Sequence, residues 1–215
     1  MVSVFYKAGI IVILVFIANF FAVRSLEDGR QGEIAGKLEQ MERDSQNMRL
    51  IILYTQLEGA NKTDICPALE LQTKEQIERA NGLAYQMERY AAANLLTSLK
   101  DAKERYMLQS LELWLYLKQL ESVCGKQEIS PILYFYPEKA ACPECNAQAE
   151  FLNSFRDRCR NVRVFAFPYN RDLGLIQILT TKYKVTRAPT LVINESTYEG
   201  VIDGDKLGEL IKCAA

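Results

Sequence analysis

Cys142-Pro143-Glu144-Cys145 is the stretch that most constrains this chain: it follows an apolar run with the composition of a buried strand and opens a segment with the pattern of a helix. Two thiols in that position can exchange electrons. At a helix N-terminus a thiolate gains unpaired backbone N–H groups and the positive end of the helix dipole, so Cys142 is the candidate nucleophile of thiol–disulfide exchange. Cys145, one turn on, is placed to resolve the mixed disulfide.

The flanking pattern supports that placement. Ile132-Leu133-Tyr134-Phe135-Tyr136, bounded by Pro131 and Pro137, predicts a buried strand. Phe151, Leu152 and Phe155 give residues 143 to about 158 a helical apolar stripe, with Pro143 at the first helical position. A strand is expected over 162–167 and a helix over about 173–183. Arg187-Ala188-Pro189-Thr190 runs directly into Leu191-Val192-Ile193, and a proline at the mouth of a strand is a candidate for a cis peptide, the alternative being an ordinary trans edge proline. A hairpin strand over 197–201 and an amphipathic helix over about 203–213, with Leu207, Leu210 and Ile211, complete the pattern.

In this order and spacing, residues 128–215 resemble the thioredoxin-like superfamily, which implies an α/β fold with a mixed sheet and flanking helices. The resemblance implies roles residue by residue. Cys142 is the exposed nucleophile, Cys145 the resolving thiol, and Pro189 the cis-proline facing them. Ala188, before it, helps bind substrate backbone, and Pro143 and Glu144 border the same substrate-binding edge. The departures matter as well. Ala141 stands where thioredoxin has Trp, Pro-Glu replaces Gly-Pro, no Asp occupies the strand as a buried proton acceptor, and the chain has no His. Glu138, Lys139 or Glu144 are then the acid–base candidates. Glu144 beside the developing thiolate disfavours it and Lys139 opposes that effect, so the dipeptide argues mildly for a reductase or isomerase poise.

At 215 residues the chain is too long for one such domain. Net charge of −1, without a basic stripe, argues against nucleic-acid binding. Residues 8–23 carry no charge and only Asn19 as a polar interruption, and Val4-Phe5-Tyr6 extends the apolar region past Lys7. This predicts a single-pass membrane anchor through residues 4–23, in place of a cleaved signal peptide, because Ala18-Asn19-Phe20 is a poor cleavage site. Lys7 on one side and Arg24, Arg30 and Lys37 on the other leave the orientation undecided by charge.

Between the anchor and Gly125 the pattern predicts an all-α bundle of three helices: about 26–57, one starting near Leu69, and one from about Ser98, with Asp101 as capping partner, to Gly125. The expected domains are therefore 1–25, 26–127 and 128–215. Alternating helix directions bring Cys66 and Cys124 to one end, where they form a disulfide or remain buried thiols. In the fold that residues 128–215 resemble, the helix after the redox motif and the last helix end together, which implies a pair Cys159–Cys213, the alternative being unpaired thiols with residue 213 in a frayed terminus. Three pairs from six cysteines favour an extracytoplasmic compartment. Asn61-Lys62-Thr63 and Asn194-Glu195-Ser196 are sequons compatible with that location. The run Trp114–Leu117 reads as bundle core or as the contact with the redox domain.

The resulting expectation is a membrane-anchored oxidoreductase acting on disulfides and thiols of client proteins. No nucleotide, flavin or metal motif is present, so no cofactor is expected and electrons arrive from an external thiol donor or acceptor. The overall plan also resembles uncharacterised membrane-anchored thioredoxin-like proteins of archaea, a resemblance that implies no particular substrate. The competing reading is a non-catalytic scaffold or interaction module at the membrane, in which Cys142–Cys145 is a structural disulfide or half of a zinc site.

Overall fold

Helix α1 spans Lys62–Ala92 and helix α2 spans Leu96–Cys124. Asn94, with φ 52°, makes the tight turn between them: its N–H donates to the Ala91 carbonyl and the Leu95 N–H donates to the Tyr90 carbonyl. That is a Schellman closure with asparagine in the left-handed position. Helix α1 begins at Lys62, upstream of the expected Leu69, and Pro67 lies inside it. Proline so near an N-terminus removes a single ladder bond, which the remaining turns outweigh. Helix α2 starts at Leu96 with no side-chain cap, so the cap expected around Ser98 and Asp101 does not form. The hairpin turn supplies the start that the cap was expected to supply.

The computed structural model describes residues 62–125, 129–138 and 141–213, together with positions 17, 46, 49–51, 53 and 54, each helical. The anchor at 4–23 and the helix at 26–57 lie outside the described residues save for those positions. No helix among the described residues is long and apolar enough to cross a membrane.

After Gly125, whose φ of 68° ends α2, the chain alternates strand and helix: β1 Ser130–Tyr136, α3 Pro143–Arg158, β2 Val162–Pro168, α4 Gly174–Lys182, β3 Thr190–Ile193, β4 Ser196–Glu199 and α5 Gly204–Leu210. The sheet order is β2-β1-β3-β4, with β1 parallel to β2 and antiparallel to β3. This is a mixed four-stranded sheet with flanking helices and a helical region. Pro131 sits in the central strand, but β3 pairs only with 132–135, so its missing N–H faces no β3 partner. The last hairpin turns on Asn194 and Glu195, both at positive φ, so β4 begins at Ser196 and not at Thr197. Asp203 caps α5, accepting from the Lys206 N–H at 2.9 Å.

Strand alternation divides the core between two faces. Leu133, Phe135, Phe165, Phe167 and Val192 pack with Ala80 of α1, with Leu111, Leu113, Trp114 and Leu117 of α2, and with Ile176 and Leu179 of α4. Ile132, Tyr134, Leu191 and Ile193 pack on the other face with Cys145, Leu152 and Phe155 of α3 and Leu207 of α5. The helical hairpin is thus one cover of the sheet, and Trp114 and Leu117 belong to that shared core. Asn61–Ala215 forms one compact unit.

Candidate redox site

Cys142 is the residue that caps α3. Its Sγ accepts the Cys145 N–H at 3.2 Å, and its carbonyl accepts the N–H groups of Cys145 and Asn146 at 3.0 and 3.2 Å. Pro143 follows in the first turn, where a missing N–H costs no helical bond. Cys142 and Cys145 are joined as a disulfide, Sγ–Sγ 1.98 Å. Cys145 is buried and Cys142 half-buried, while Ala141, Pro143 and Glu144 are exposed. Cys142 is thus the more accessible residue of the pair. Once the bond is open, the Cys145 N–H on Sγ and the positive end of the α3 dipole would favour a Cys142 thiolate.

Tyr134 is a neighbour of the motif that the sequence did not single out. Its hydroxyl donates to the Cys145 carbonyl at 2.8 Å, tying the first turn of α3 to the central strand. Burial, and to a lesser degree the nearby Tyr136, push its phenol up to about 12, so it remains a donor at neutral pH. The only signal in the sequence is its alternation with Leu133 and Phe135, which sets it on the opposite face of the strand from them without showing which helix it meets. Gln148, fully buried on α3, is held on both sides by one residue: its Nε2 donates to the Ile202 carbonyl at 3.0 Å and its Oε1 accepts the Ile202 N–H at 2.7 Å. This anchors α3 to the segment after β4.

The Ala188–Pro189 bond is cis. The Pro189 carbonyl accepts the Gly200 N–H at 2.8 Å, and Ala188 packs against the same core cluster as Cys142. Glu138 is ion-paired with Arg171, whose other nitrogen holds Glu104 at 3.0 Å, and its N–H donates to Asn170 Oδ1 at 2.9 Å. Lys139 lies outside the described residues. Glu144 is exposed on the first turn of α3.

The remaining cysteines pair as Cys66–Cys124, Sγ–Sγ 2.06 Å, and Cys159–Cys213, 2.12 Å. The first joins the opening turns of α1 to the end of α2. The second ties the residue after α3, fully buried, to the tail beyond α5. Among the described residues no group of His, Cys, Asp and Glu side chains could hold a metal ion. Set against family models, curated proteins and solved structures, the chain matches none of them.

Proposed function

We propose that this chain is a thiol–disulfide oxidoreductase of thioredoxin-like type, anchored to a membrane through residues 4–23 with its folded part on the extracytoplasmic side. The observation that carries the reading is the pairing of a half-buried Cys142, capping α3 and accepting a backbone N–H, with a buried Cys145 one turn along. Pro189 entering β3 and the strand–motif–helix order around it are further support. The apolar run before Arg24 supports the anchor, and six cysteines in three disulfides support the oxidising compartment.

In the reducing direction the chemistry balances as follows. The Cys142 thiolate attacks a client disulfide, forming a mixed disulfide and expelling one client thiolate, which takes up a proton. Cys145, losing its own proton, attacks Cys142 Sγ. The Cys142–Cys145 disulfide closes and the second client thiol leaves, so the client gains two electrons that an external dithiol later restores. The test is a redox titration of the full chain in detergent against dithiothreitol and glutathione buffers, reading alkylated Cys142 by mass spectrometry. A reversible transition between about −120 and −270 mV is expected. Cysteines that stay oxidised below about −300 mV would replace this reading with a structural disulfide in a membrane scaffold.

A further inference from the structure

A groove of about 410 Å³ opens between the first turns of α2 and the carboxyl ends of β1 and β2. That is the end of the sheet from which the chain passes to Cys142, and the edge at which open α/β sheets bind ligands. Tyr136 lines the groove and also packs against the core cluster on which Cys142 rests. Its other apolar walls are Leu96, Leu99 and Met107 on the helical hairpin, and Leu96 is 75% exposed. The charged lining is unequal. Both of its carboxylates, Glu104 and Glu138, are bound to Arg171, so the exposed Lys100 and Lys103 set the sign of the groove.

We propose that this groove is the client-docking surface of the redox site, and that its occupant is an extended polypeptide segment carrying a large apolar side chain and an acidic side chain beside its disulfide. The apolar group sits against Leu99, Met107 and Tyr136, the carboxylate meets Lys100 and Lys103, and the client sulfur is brought to Cys142. The inference rests on the oxidoreductase reading, with the hairpin supplying client selection.

The experiment compares three substrates of the full-length protein in detergent, with dithiothreitol as the external dithiol. They are a small aromatic disulfide and two peptide disulfides identical except that acidic residues in one are lysines in the other. Wild type should favour the acidic peptide by about tenfold in kcat/KM. The K100E/K103E variant should lose or invert that preference while reducing the small disulfide at the wild-type rate, and K100Q/K103Q should fall between. Equal rates on the two peptides, with the small disulfide still reduced, would overturn the docking surface and leave the redox reading standing. Failure on all three substrates would overturn both. Lysines that govern binding to phosphatidylserine vesicles but not peptide preference would assign the patch to a lipid surface and also overturn the proposal.

Discussion

Glu195 shows how much one side chain can organise here. It occupies the second turn position of the β3–β4 hairpin, where a φ of 63° is uncommon for a residue with a Cβ. Its carboxylate binds Lys118 of α2 at 2.7 Å and Lys182 of α4 at 2.8 Å, and accepts the Tyr183 hydroxyl at 2.7 Å. Burial raises its pKa, but bonds from Lys118, Lys182 and Tyr183 outweigh that and hold it at about 2, below the ordinary 4.5. Because the folded value is depressed, this contribution is fully present above pH 4.5 and is lost as pH falls through about 2. The side chain is 47% exposed, so solvent screening limits it to about 1 kcal/mol or less. Glu195→Gln should therefore lower the urea-unfolding free energy at pH 6 and lower it by much less at pH 2. An equal loss at both pH values would mean that the ion pairs are not its source. Neither Glu195 nor Tyr134 could be assigned these roles from sequence, because each acts through partners remote in the chain. Cys142, by contrast, was legible because its cap role depends only on the helix that begins beside it.

Elements with strictly local causes were the most readable. Strand β1 was bounded by prolines and aromatic content, α3 by Pro143 and its Phe151, Leu152 and Phe155 stripe, and both lie within two residues of expectation. The start of α1 was less readable, since Pro67 resembles a boundary yet sits within the helix. The hairpin of α1 and α2 closes covalently through Cys66–Cys124, 58 residues apart. Removing the link frees a long loop in the unfolded chain, which the loop-entropy argument values at about 4 kcal/mol. A C66S/C124S variant should show that loss in denaturant unfolding while Cys142 is alkylated at the wild-type rate after reduction. Slower alkylation would instead make the clamp part of the redox site.

At the scale of the whole molecule, the sequence pattern distinguished a helical part from an α/β part but did not show that they share a core. That depends on which faces of α1 and α2 meet the sheet, and apolar stripes on separate helices do not name their partners. With Ala80, Leu113, Trp114 and Leu117 gone, one face of β1 and β2 would expose Leu133, Phe135, Phe165 and Phe167. The fragment 129–215 expressed alone should bind a hydrophobic dye and lack a cooperative thermal transition, whereas a chain retaining residues 62–215 should show one. Cooperative folding of the short fragment would reduce the hairpin to an accessory. The Cys66–Cys124 bond has a mechanical consequence as well. Tension on the N-terminal segment enters α1 near its start, crosses to the end of α2 through one sulfur–sulfur link, and reaches β1 without travelling along the hairpin. Under load, most of the length of the two long helices is bypassed, and the strand that leads into Cys142 is the next element along the covalent path.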